Sequence, residues 1–116
     1  MITRKIVSLK ALVLSVAVVA TMFLLITSAK ADNAAAEATY KAKCATCHGP
    51  DGKGETALGK TMKTGDFASP EVQKMSDTDL TDAITKGKGD MPAFKTFTAD
   101  QVKALVGYVR AFGKKK

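Results

Sequence analysis

The chain has 116 residues, 46% of them apolar and 25% charged, with two Cys, one His and no Trp. That length holds one domain, the apolar share is too high for disorder, and a single His with two Cys excludes an all-imidazole metal site and a zinc site of three or four thiolates. The formal charge of +7 suggests nucleic acid only until it is located: Arg4, Lys5, Lys10 and Lys30 precede the body, Lys114, Lys115 and Lys116 follow it, and the body between carries as many acids as bases with no basic stripe.

Residues 1–31 read as a secretory signal peptide. A positive opening leads into an uncharged apolar run at 11–27, and Ala29-Lys30-Ala31 has the small-x-small form of a signal peptidase site. Cleavage after Ala31 leaves the domain 32–116, beginning at Asp32. A retained membrane anchor is the competing reading, because the run sits at the lower edge of a spanning length. In either case the positive end stays inside and the domain lies in the periplasm, outside the inner membrane.

The domain is predicted to be all-α. Residues 33–43 are Ala-rich and favour a helix, which ends at 44–48. Residues 49–54 (Gly-Pro-Asp-Gly-Lys-Gly) are loop, with Pro fixing one dihedral and the glycines permitting positive φ. No convincing period runs through 55–68. Ser69 caps a short helix with Pro70 at its first position and Glu71 facing the helix dipole. Leu80, Ala83 and Ile84 mark one face of a helix from about 78 to 86, stopped by Gly87. After a loop at 87–97, Thr98 and Gln101 form a capping box, and Val102, Leu105, Val106, Val109 and Phe112 follow at helical spacing until Gly113. A domain of this size has a thin apolar core and needs an additional staple.

Both cysteines and the only histidine fall in Cys44-Ala45-Thr46-Cys47-His48. The C-x-x-C-H spacing reads as c-type haem attachment: two thiols add to the two vinyl groups of one porphyrin edge, and the next residue brings an imidazole to the iron. One covalent haem c is the expected cofactor, with Cys44 and Cys47 as thioethers and His48 as an axial ligand. The rival readings are weaker. A thioredoxin-like dithiol wants a βαβ setting, a plain disulfide leaves His48 idle, and a zinc site lacks ligands.

No second His exists, so the sixth iron ligand is Met, Lys, water or nothing. Met75 follows Val72 on a short helix and reads as core packing. Met62 reads as a wall contact. Met91 precedes Pro92, which pushes it toward an extended conformation suited to a ligand strap, and it is far enough from His48 for the chain to pass to the opposite face. Met91 is the expected ligand, with Met62 next; a thioether opposite His is a known haem pairing.

Cys44 to His48, the Gly52-Lys53-Gly54 after it, Met91-Pro92-Ala93-Phe94 and the closing Leu105-x-x-Tyr108 resemble the small bacterial class I monohaem cytochromes c over the whole of 32–116. The resemblance implies about four short helices wrapped around one haem, with the first and last helices crossing through Tyr40, Leu105 and Tyr108. Ala36 departs from the Gly often found at that crossing. A carbonyl partner for the His48 ring is expected, with Pro50 and Pro70 as candidates. Lys60, Thr61 and Lys63 are candidate propionate donors, and Phe67, Phe94 and Phe97 candidate cavity walls.

The functional expectation is an exported one-electron carrier cycling between Fe(III) and Fe(II), not an enzyme, since no acid–base pair, nucleophile or phosphate loop is evident. A haem enzyme or gas-binding protein with an open sixth position is the alternative. Expected partners are redox proteins of a respiratory or photosynthetic chain, with the protein itself a monomer, free of nucleic acid and meeting membranes only through redox complexes or a retained leader. Lys41, Lys43, Lys86, Lys88 and Lys95 flank the haem-contacting segments and form a candidate ring for acidic partners, partly offset by Asp51 and Asp90.

Overall fold

No Gly or Pro occurs before Gly49, so nothing in residues 2–43 interrupts a helix, and α1 (Ile2–Lys43) runs through the whole stretch. The structure, a computed structural model, describes residues 2–115, without the side chains of 2–4 and 24–29. Met1, Lys116 and the Ala29 side chain of the small-x-small motif therefore lie outside the described residues. The helix expected to start at residue 33 has no boundary there, because the alanines simply extend a helix already formed.

The chain divides into two compact units, Met1–Asp32 and Asn33–Lys116. In the first, Lys5–Phe23 is long and apolar enough to cross a membrane, with none of it buried; secretory leaders share that property.

In the second unit α1 gives way at Cys44 to the single turn α2 (Ala45–His48), followed by α3 (Ala57–Thr61), α4 (Pro70–Lys74), α5 (Asp77–Lys86) and α6 (Ala99–Phe112). Among the described residues no strand forms; Lys88 and Met91 make one isolated bridge. The fold is all-α. The four expected helices correspond to α1, α4, α5 and α6, and α2 and α3 are additions too short to show a period.

Local chemistry starts α3, α4, α5 and α6. Thr56, Ser69, Ser76 and Thr98 each accept a hydrogen bond at the N-terminus that follows, meeting donors a helix start leaves unpaired. Thr98 with Gln101 and Ser76 with Asp79 form complete capping boxes. Gly87 closes α5 at φ +78, and a Cβ there would stand 2.6 Å from the Met91 carbonyl oxygen, so only glycine fits.

α6 holds both core clusters. Leu105 and Phe112 pack with Tyr40 of α1, and Val106 and Val109 pack with Leu80 of α5. The expected crossing is present: the Tyr40 ring lies 5.0 Å from Tyr108 and 5.6 Å from Phe112 between centroids. Ala36 is buried. Arg110 ties α6 to the junction of α4 and α5, donating to the carbonyls of Gln73 (2.9 Å) and Met75 (2.5 Å) and pairing with Asp77 (2.7 Å).

Candidate haem site

The Cys44–His48 segment is held from both sides. Tyr40, itself 1% exposed, donates its hydroxyl to the Gly49 carbonyl at 2.6 Å, and the Gly54 amide donates to the His48 carbonyl at 2.8 Å. The Thr56 hydroxyl lies 2.8 Å from the Thr46 carbonyl and 3.0 Å from the Cys47 carbonyl while accepting from the Gly59 amide. One residue thus caps α3 and anchors the turn between the cysteines. α3 lies so close to that turn that a Cβ on Gly59 would collide with the Cys47 carbonyl.

Both thiols are free and half-buried. Burial, with Cys47 adding a smaller effect, pushes the Cys44 thiol up to about 11. The same desolvation holds His48 below the ordinary imidazole value, which favours the neutral ring that binds metal. Its Nδ1 is buried and has no hydrogen-bond partner, so neither the Pro50 nor the Pro70 carbonyl serves it. The Phe67 ring instead stacks on the imidazole, with centroids 4.3 Å apart and planes 19° apart.

These groups open onto a cavity of about 560 Å³, within the range of roughly 300–1,000 Å³ usual for ligand and cofactor sites. Cys44, Cys47 and His48 line it together with Met91 and Pro92, while Val72, Met75, Leu80 and Phe94 supply apolar wall. Met91 is carried on a tight turn in which it and Lys88 exchange both backbone hydrogen bonds, at 3.0 and 3.2 Å. Met62 also lines the cavity, with its sulfur 3.9 Å from Cys47 Sγ. Paired thiols, a neutral imidazole, available thioethers and an apolar wall form a donor set that fits haem c.

The family model for cytochrome c oxidase, cbb3-type, subunit III matches residues 31–109. Cytochrome c6 of Rippkaea orientalis is 38% identical over 82 residues, covering 69% of this chain and 70% of that protein. Cytochrome c6 of Leptolyngbya boryana is 36% identical over 80 residues, covering 68% and 91%. Among solved structures, the KustC0563 c-type cytochrome superposes with a TM-score of 0.60 at 38% identity, covering 66% of this chain and 94% of its own. The chain belongs to the small class I c-type cytochromes.

As a member of that family the cytochrome carries covalently bound haem c with iron. Several surrounding residues fall elsewhere than expected. Phe67 and Phe94 line the cavity, but Phe97 does not; it stacks on Phe94 at 5.3 Å and faces a groove between α5 and α6. Lys63 and Thr64 line the cavity, whereas Lys60 and Thr61 are exposed on α3 and do not. A one-turn helix rotates successive side chains away from a common wall.

The charge around the cavity is mixed rather than a ring of one sign. Lys43, Lys63 and Lys88 line it with Asp66, Glu71 and Asp90. Lys41 pairs with Glu37 at 2.6 Å and Lys86 with Asp82 at 2.8 Å, both i,i+4 pairs on exposed helix faces. Two of the expected lysines are thus already partnered.

Sequence reading missed three residues that build this site. Thr56 anchors the cysteine turn; Gln73 donates to the Phe67 carbonyl at 2.7 Å and the Val109 carbonyl at 3.2 Å; Arg110 ties down the wall formed by α4 and α5. Thr56 had a legible cue, a Thr just ahead of an Ala-Leu pair. Gln73 and Arg110 act on backbone more than thirty positions away, and no local pattern marks them.

Proposed function

We propose that this cytochrome is an exported single-haem electron carrier in which Cys44 and Cys47 hold the porphyrin by thioether bonds and His48 and Met91 are the axial ligands. One observation carries the assignment: a single cavity is lined at once by the two thiols, the imidazole and the Met91 strap. Haem c supplies the one-electron Fe(III)/Fe(II) couple.

The chain's own residues set the conditions for that couple. Tyr40 and Thr56 fix the carbonyls on either side of the attachment turn, so the imidazole enters the cavity from a rigid support. Val72, Leu80 and Phe94 exclude water, and an apolar pocket with a thioether ligand favours the lower charge of the reduced state. Residues 1–31 direct export as a cleaved signal peptide, which places residues 32–116 in the periplasm, where a covalent cofactor is not lost by dilution. The partners are redox proteins of a respiratory or photosynthetic chain.

The test is a visible spectrum of the purified protein in both oxidation states, followed by potentiometric titration. A single one-electron wave, with haem that stays on the chain through acid–acetone extraction, is the expected result. Extractable haem overturns the thioether assignment. Carbon monoxide binding to the unaltered reduced protein overturns Met91 ligation and turns the reading toward an open-site haem protein.

A further inference from the structure

A second concavity, of about 550 Å³, runs between α5 and α6, within the roughly 300–1,000 Å³ usual for small-molecule sites. Val102 and Val106 are buried beneath it. Thr81 and Thr85, one turn apart on α5, line it from one helix, and Gly107 on α6 lines it from the other. A glycine inside a helix is ordinarily a cost, and no contact within the chain calls for one here. An added Cβ at Gly107 would meet no described atom within 4 Å. What the missing side chain leaves is room in the groove.

The charges on the rim do not balance. Arg110 is fully engaged, with Nε and Nη2 on Asp77 and its remaining donors on the Gln73 and Met75 carbonyls, so that pair adds no net charge. Lys103, one turn before Gly107, is exposed and makes no ion pair among the described residues. The groove therefore carries one uncompensated cation above an apolar base. Phe97 also lines it, and its ring lies parallel to that of Phe94, with planes 3° and centroids 5.3 Å apart. Phe94 lines the cavity of Cys44, Cys47 and His48. One aromatic pair thus stands between the two concavities.

We propose that the α5–α6 groove is a binding site for a planar aromatic anion, its rings against Phe97 and the two valines and its charge at Lys103. A flat body suits a slot between two helices, an aromatic ring gains from packing on Phe97, and a lone ammonium over apolar surface selects for negative charge. Because Phe94 backs Phe97, a ligand seated there is felt at the wall of the neighbouring cavity. The site does not rest on the haem assignment, since none of its residues is among the four proposed to hold the cofactor.

The experiment is an NMR titration of the reduced, haem-loaded protein with 2-naphthalenesulfonate at neutral pH. Saturable shifts should appear at the amides of Thr81, Lys103 and Gly107 and on the rings of Phe97 and Phe94. Lys103→Gln should weaken binding by up to about fivefold, as loss of one exposed charge contact does. The same variant should bind 2-naphthol, which is uncharged at that pH, as the unaltered protein does. Gly107→Leu fills the groove from an exposed helical position and should abolish binding without lowering the melting temperature. The proposal is overturned by the absence of a saturable response, by shifts confined to the cysteine-lined cavity, or by binding that survives Gly107→Leu. An equal loss for both probes in Lys103→Gln removes the anion from it. Groove shifts that follow protein concentration with no probe present would assign the groove to a second copy of the chain and overturn it as well.

Discussion

At the scale of single residues, two methionines compete for the iron and their settings differ. Met62 rests against Cys47 Sγ, beside the attachment edge, whereas Met91 is held by a turn of its own with Gly87 making room for its carbonyl. Met91→Ala should therefore abolish the sulfur-to-iron charge-transfer band of the oxidised protein, lower the potential and admit carbon monoxide or cyanide, while Met62→Ala should leave the band in place. The opposite outcome, read in the same absorption spectra, reverses the assignment. Cys44→Ala or Cys47→Ala should sharply reduce the haem retained on denatured protein. The residues proposed for attachment could be picked out in sequence because that chemistry demands that they be neighbours in the chain. The stacking of Phe67 on His48, the reach of Gln73 and the mixed charge of the cavity could not, because they come together only through folding.

Among the elements, caps and anchors decide what is strong. Thr56→Ala removes the cap of α3 and the hydroxyl shared by two carbonyls of the cysteine turn; a loss of about 1–2 kcal/mol is expected in denaturant unfolding. Arg110 makes an ion pair with Asp77, but the Asp77 side chain is 76% exposed, which limits the pair to less than about 1 kcal/mol. Its bonds to the Gln73 and Met75 carbonyls matter more. Arg110→Ala should cost about 1–3 kcal/mol and Asp77→Ala much less, and equal losses in thermal melts would show that the pair dominates. The Asp79 carboxyl is held below its ordinary value by hydrogen bonds from the Ser76 hydroxyl and amide. A lowered folded value means that the capping box stabilises α5 above the ordinary carboxylate range and fades as pH falls through the lowered value. Asp79→Asn should flatten that part of a pH series of melts. The ends of α4 and α6 could be read from Ser69-Pro70-Glu71 and Thr98-x-x-Gln101, since capping chemistry is local. α3, also five residues long and thus too short for a periodic pattern, could not, because no Pro or acidic residue follows Thr56 to mark its start as Pro70 and Glu71 mark that of α4.

For the whole molecule, export and encounter are the open measurements. Mass spectrometry of protein exported by a bacterial host should find Asp32 as the first residue with one haem added, whereas an intact chain recovered from membranes would indicate an anchor. Because three lysines and three carboxylates line the cavity together and Lys41 and Lys86 are paired, electron transfer with acidic and basic redox partners should depend only weakly on salt; charges on such a surface are screened within roughly 8–10 Å. A steep slowing with the acidic partner alone would mean that the lysines act together after all.

The docking of Tyr40 on α6 also has a consequence in time. The attachment segment is delivered early, since chains emerge from their N-terminus, yet the groups that bury Tyr40 are Leu105, Tyr108 and Phe112. In a chain exported as proposed, the Tyr40 ring has nothing to close against until those residues have followed, although Gly49, which accepts from its hydroxyl, lies only nine positions on. On the exported, haem-bearing reading proposed above, the thiols of Cys44 and Cys47 thus stay accessible while the rest of the chain follows, and the same contact that later seals the fold leaves a window in which the cofactor can be joined to them.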